Sequence, residues 1–180
     1  SSEVRAIIFN CFENFGTVES SHFKEALTNI TTEDKSNLSK LGIRMGAKFF
    51  FMPNFMKKKP IELKALLWQI FNKFEYDDFL PLPKDGRVSF NSNVPMPSSY
   101  WQGIGYLNIN NFVFRVDIFE KIFFLARKKL KRGPFVESSD LMNPIGCNSN
   151  QLRDILSFCG YSHVELVDSK KIYFYENNKK

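Results

Sequence analysis

The most regular apolar spacing in the chain follows Pro60: Leu63, Leu66, Leu67, Ile70, Phe71 and Phe74 recur at intervals of three and four. That period belongs to an α-helix with one apolar stripe. Pro60 suits its first position, because the ring pre-sets helical φ and removes an N–H that the first turn leaves unpaired anyway. The spacing therefore predicts a helix whose Leu66, Leu67 and Trp68 fill a core. A stripe this long needs a partner layer, and 43% hydrophobic residues in 180 can supply one compact domain or two small ones. With 20 Phe and 16% aromatics the chain has too much apolar mass to stay disordered.

Other elements follow from periodicity and punctuation. Val4, Ile7, Ile8, Cys11, Phe12 and Phe15 predict a first helix that Gly16 stops, and a short helix over residues 22–29 follows. Thr31 and Asp34 match a capping box opening a helix that ends at Leu41, with Gly42 beyond it. Residues 43–52, bracketed by glycines and carrying three consecutive Phe, read as extended or irregular core. Residues 81–99, rich in Pro, Ser and Asn, read as a linker or surface crossing. After it, residues 104–107 and 112–116 flank Asn108 to Asn111 as a hairpin, since Asn tolerates left-handed turn geometry. The final third reads as a helix over 117–131, a short helix from Ser139 to Met142, a helix opened by Asn148 and Gln151 and closed by Gly160, and two strands over 163–167 and 172–175. Helix, short helix, helix and hairpin is the winged-helix order.

Several classes of function lack their parts. No run approaches the roughly 20 apolar residues of a membrane span, and no basic end precedes an apolar leader, so the chain reads as cytoplasmic. Its start, Ser1-Ser2-Glu3 without Met, reads as an excised piece of something larger. Cys11, Cys147 and Cys159 are widely spaced, with only His22 and His163 to join them, so a zinc site is not expected, and Cys11 and Cys159, at apolar positions of expected helices, read as reduced core residues. No phosphate-binding glycine loop is present, and Gly103 and Gly105 lack the third glycine of a dinucleotide fingerprint. No nucleophile elbow or zinc-protease spacing occurs. Asp77-Asp78 sits in a proline-flanked loop and reads as solvated surface, not as a magnesium site. The chain is expected to be no enzyme and to hold no cofactor.

Charge is the remaining signal. The net charge is +6, and residues 81–180 carry 14 Lys and Arg against 9 acids, whereas residues 1–80 carry 11 against 10. Lys57, Lys58 and Lys59, with Lys64 farther along the same helix, gather cations at a helix N-terminus, where the dipole disfavours them and a phosphate or solvent must offset the cost. Arg127, Lys128, Lys129, Lys131 and Arg132 crowd a helix C-terminus, where the dipole favours them. Arg153, on the polar face of the helix opened by Asn148, and Lys170 and Lys171, between the last two strands, complete the candidate contacts to a nucleic-acid backbone. A plain solvated surface is the competing reading for each cluster. Trp68 and Trp101 read as core in preference to base-stacking platforms.

These residues resemble a family. Val4-Arg5-Ala6-Ile7 leading to Glu13-Asn14-Phe15-Gly16, Leu41-Gly42-Ile43-Arg44-Met45-Gly46, Phe51-Met52-Pro53, and Lys59-Pro60 with Leu63, Leu66, Leu67 and Trp68 resemble the C-terminal region of bacterial DEAD/DEAH-type helicases, relatives of the RNA helicase of the mitochondrial degradosome. Gly105-Tyr106, Arg115-Val116-Asp117 with Phe119-Glu120, Pro144-Ile145-Gly146 and Cys159-Gly160-Tyr161 continue the likeness in the same order. The resemblance implies a two-domain ATP-dependent motor ahead of this region in the same polypeptide, with ATP and magnesium confined to that motor, and a role here in channelling or anchoring the strand being unwound. Arg44 is the one motif residue whose charge suits a phosphate, a buried ion pair being the alternative.

The expectation is an α+β chain: a mainly helical subdomain over 1–80, a linker over 81–99 and a winged-helix-like subdomain over 100–180. Its expected function is a non-catalytic helicase accessory region binding single-stranded RNA or DNA. The rival is a module that docks a protein such as a nuclease and touches no nucleic acid. A free-standing winged-helix transcription factor is disfavoured by the Asp154 on its recognition face.

Overall fold

The computed structural model of the chain describes residues 1–75, 80–84, 86–166 and 171–176. It is a mixed α/β structure with three small antiparallel sheets. Asp77, Asp78, Asp85 and residues 167–170 lie outside the described residues. Among the described residues no helix is long and apolar enough to cross a membrane.

Helix α1 (Ser2–Glu13) is capped by the Ser1 hydroxyl and buries Ile7 and Cys11, while Phe12, expected inside, is exposed. Gly16, at φ +83°, turns the chain into β1 (Thr17–Glu19). A 3₁₀ turn and α2 (Lys24–Asn29) lead to α3 (Thr32–Lys40), whose Thr31/Asp34 capping box forms as expected. The segment after Gly42 takes the extended of the two expected forms: β2 (Arg44–Met45) and β3 (Phe49–Phe51) pair antiparallel, and β1 adds to the other edge of β3, with Val18 opposite Phe50. So the first 80 residues hold a sheet as well as helices.

Helix α4 (Lys58–Phe71) begins two residues before Pro60, which occupies the third helical position. Its buried stripe is Ile61, Lys64, Ala65 and Trp68, and the expected core stripe of Leu63, Leu66, Leu67, Ile70 and Phe71 faces outward. The two stripes share one helical period, so spacing alone does not choose between them. Trp68 decides the matter: its ring meets Phe74 and Tyr100 edge-on at centroid separations of 5.4 and 5.2 Å.

The crossing over 81–99 contributes structure of its own. Strand β4 (Ser89–Asn91) pairs with β6 (Phe112–Arg115), which also pairs with β5 (Tyr106–Ile109), and α5 starts within the crossing (Ser98–Gly103). The β5–β6 hairpin turns on Asn110 and Asn111, at φ +47° and +66°, as the asparagines predict. Strand β5 starts two residues later than expected, because Gly105 at φ +92° bends the chain first, while β6 starts at Phe112 as expected.

Helix α6 (Val116–Leu130) then runs into β7 (Phe135–Val136), α7 (Ser139–Met142), α8 (Ser149–Phe158), β8 (Tyr161–Leu166) and β9 (Lys171–Glu176). Strand β9 sits between β7 and β8, with Phe135 opposite Phe174 and Tyr161 opposite Glu176. At two residues β7 is too short for a period-two pattern to reveal.

The cores ignore the expected boundary between 1–80 and 100–180. Phe49, Phe51 and Met56 belong to one apolar cluster with Phe114, Phe119, Leu152 and Phe174. Ile61, Ala65 and Trp68 share another with Tyr100, Trp101 and Val113. Only the cluster around Ile7, Leu38 and Phe50 draws its buried members from the first part alone.

Candidate nucleic-acid interface

Where α4 begins, its first turn faces residues 82–84, Gly86, Arg87 and the end of the β5–β6 hairpin across a cleft of about 320 Å³. Lys57, Lys58, Lys84, Arg87 and Arg115 line this cleft, with Glu62 the one carboxylate among its described lining residues. Three stretches of chain thus bring five cations to one concavity. Two buried tyrosines tie the crossing segment to the frame: Tyr106 donates its hydroxyl to the Arg87 carbonyl and Tyr100 donates to the Pro81 carbonyl, each at 2.8 Å. Burial pushes the Tyr106 phenol up to about 12 and the Tyr100 phenol higher still, so both remain donors. Arg115 donates through Nε and Nη2 to the two Asp117 oxygens at 2.6 and 2.8 Å, and that pairing, the larger influence, outweighs its burial and raises its pKa. The fork fixes the guanidinium on the cleft wall with part of its charge neutralised. Lys84, Arg87 and Arg115 carried no signal in isolation, since their grouping with Lys57 and Lys58 depends on tertiary contact.

Lys59 is exposed on the same turn, but Lys64 is not a surface cation. It is 5% exposed and its Nζ has no hydrogen-bond partner; burial takes its pKa down to about 7. Position 64 shares the stripe of Ile61 and Trp68, so the ammonium ends inside, close to Gly105 and Met56. The expected phosphate contact from Lys64 is replaced by a buried amine behind the cleft wall.

The second cluster is divided by its surroundings. On α6, Arg127 lies 5.9 Å from the Phe123 ring centroid, a ring Lys48 also approaches at 5.7 Å. Lys129 pairs with Asp140 at 3.0 Å. Lys128, Lys131 and Arg132 are exposed, and Arg127 and Lys131 line a separate cleft with Tyr161 and Glu176. Arg153 on α8 pairs with its neighbour Asp154 at 3.4 Å. Asn110 donates to Asp154 at 2.9 Å, and Gln151 donates to Asn91 at 3.2 Å. The polar side of α8 is therefore partly occupied by the second sheet, which works against base reading. Lys170 lies outside the described residues, and Lys171 opens β9. Arg44 forms no buried ion pair: it is exposed and donates to the Ser39 hydroxyl at 2.8 Å.

The best-satisfied buried polar group went unnoticed in the sequence. Glu120 on α6 is 8% exposed and accepts the backbone N–H groups of Ala47, Lys48 and Phe49 at 2.7, 2.8 and 2.7 Å. Burial raises its pKa, opposed by those three donors. An acid on the apolar track of Val116, Phe119 and Phe123 was the available signal. Trp68 and Trp101 are both buried and present no stacking surface. The three cysteines are unpaired, and burial pushes Cys11 and Cys147 up to about 11 and Cys159 up to about 12. Among the described residues no group of three or more His, Cys, Asp or Glu is placed to hold a metal ion.

The chain matches no protein-family model, no curated protein and no solved structure.

Proposed function

We propose that this chain is a non-catalytic accessory region of an ATP-dependent helicase, which grips the backbone of single-stranded RNA or DNA while the motor domains of the same cytoplasmic polypeptide hydrolyse ATP. The cleft of Lys57, Lys58, Lys84, Arg87 and Arg115 carries the proposal. Cations from separate stretches, held on a rigid frame and facing one concavity, suit a polyphosphate strand better than scattered surface lysines do. Lys128, Lys131 and Arg132 extend the contact at the end of α6. The element order α6, β7, α7, α8, β8, β9, with β9 between β7 and β8, supports a winged-helix reading of the last third. With Asp154 and Gln151 engaged by the second sheet, that module acts through backbone contact or as scaffold.

The test is fluorescence anisotropy with labelled single-stranded RNA and DNA at low and moderate salt. Binding that weakens steeply with salt, and weakens further in the double variant Lys57→Glu, Arg87→Glu, supports the reading. Absence of binding by the chain, together with unchanged affinity of the whole helicase carrying the double variant, rejects it. A second reading, a docking module without nucleic-acid contact, is favoured by the outward apolar stripe of α4. It predicts that the double variant keeps nucleic-acid affinity in the whole helicase.

A further inference from the structure

Among the described residues, five large apolar side chains on α4 belong to none of the apolar cores: Leu63 is 55% exposed, Leu66 53%, Leu67 42%, Ile70 64% and Phe71 80%. Taking each as roughly 170 Å² when fully open, they expose on the order of 500 Å² of contiguous apolar surface, near the top of what an ordinary monomer shows. A standard protein interface buries about 800 Å² per partner, about 65% of it apolar when the two partners are identical. The stripe by itself meets that apolar requirement.

We infer that this face pairs with the same face of a second copy of the chain, the two α4 helices running antiparallel across a two-fold axis. The pattern is close to self-complementary under that operation: with Leu66 of one copy beside Leu67 of the other, Leu63 lies beside Ile70 at both ends. Leu63, Leu66, Leu67 and Ile70 then form the seam of an antiparallel helix pair, with Phe71 at its edge. Charge points the same way. Within one copy, Lys57, Lys58 and Lys59 crowd the positive end of their own helix dipole, with no side-chain cap and no acid in the first turn. Antiparallel pairing in this register sets the run just beyond Phe71 of the other copy, at the carbonyl end of its helix, which favours cations. A parallel pair would instead place two lysine runs together. The inference stands on the apolar stripe and shares only the Lys57 and Lys58 charges with the nucleic-acid reading, which rests on the cleft.

Sedimentation equilibrium of the 180-residue chain tests it. A species of twice the 21.0 kDa chain mass is expected, in equilibrium with monomer. Leu67→Glu and, separately, Ile70→Glu should each weaken the dimer at least about 30-fold, while circular dichroism stays unchanged because both positions are outside the core. Chains bearing Leu63→Cys should cross-link to chains bearing Ile70→Cys in a mixture, giving the antiparallel register. A chain that remains monomeric at about 100 μM, or a dimer indifferent to both substitutions, overturns the inference. A monomer that captures a different protein on this stripe overturns it equally. Anisotropy of the Leu67→Glu variant with RNA separates the two proposals, since loss of the dimer need not alter the cleft.

Discussion

The carboxylate of Glu120 occupies the space where a β-carbon on Gly46 would lie, so each residue dictates the other. Because Gly46 has no side chain, the turn before β3 closes around the acid, and the N–H groups of Ala47, Lys48 and Phe49 all point at it. The pair joins the first sheet to α6 across 73 positions of sequence between Ala47 and Glu120.

Glu120→Ala should leave three inward-facing donors unmet and cost roughly 2–4 kcal/mol. Gly46→Ala should be at least as harmful, because its methyl group meets both the carboxylate and the Phe49 carbonyl oxygen, while the double variant Gly46→Ala, Glu120→Ala should recover only the part due to the carboxylate and so lose less than the sum of the two. Urea unfolding of the three variants measures this coupling. Strict additivity would show that the two residues act separately.

Lys64 makes stability depend on pH in an unusual direction. Burial takes its folded pKa down to about 7 from the ordinary 10.5, so between those values the unfolded chain holds a proton that the folded chain does not. Stability attributable to this group is therefore complete above 10.5, declines as pH falls, and is lost once pH drops through 7. Between pH 7 and pH 9 the gain should be roughly 2 kcal/mol, and Lys64→Met should remove it while stabilising the chain at pH 7 by about 1–2 kcal/mol. Comparing urea midpoints of the two proteins at both pH values isolates Lys64 from the buried tyrosines, which titrate only at higher pH. Equal pH slopes would place the ammonium in water.

The basic cleft predicts a graded response to salt. Lys57→Glu with Arg87→Glu should lower single-stranded RNA affinity at least about 10-fold near 0.1 M salt and flatten the logarithmic salt dependence by about two units. Lys64→Met, which removes a cation from the same helix but not from the cleft, should leave both quantities unchanged. Anisotropy titrations over a salt series report both.

At the β5–β6 turn, Asn110 and Asn111 adopt left-handed backbone. Asn111→Gly should be tolerated or slightly stabilising, whereas Asn111→Val should cost about 1–2 kcal/mol, since a branched β-carbon clashes at positive φ. Thermal unfolding of the two variants should rank them in that order.

Local chemistry made much of this protein legible in its sequence. The capping boxes at Thr31/Asp34 and Asn148/Gln151, the turns at Gly16, Gly42 and Gly160, and the paired asparagines of the hairpin appear where the residues demand them. Each is settled by atoms within about four positions of one another, so no distant partner intervenes.

Tertiary structure decided the rest. Which stripe of α4 is buried depended on Tyr100 and Phe74 receiving Trp68, and that choice put Lys64 inside and five leucine-class side chains outside. The two-residue β7 exists because β9 offers an edge, and the basic cleft exists because two tyrosine hydroxyls hold Pro81 and Arg87 beside α4. Periodicity states that a helix has an apolar face, but packing against chain tens of residues away selects the face, because burial free energy accrues only once a complementary surface arrives.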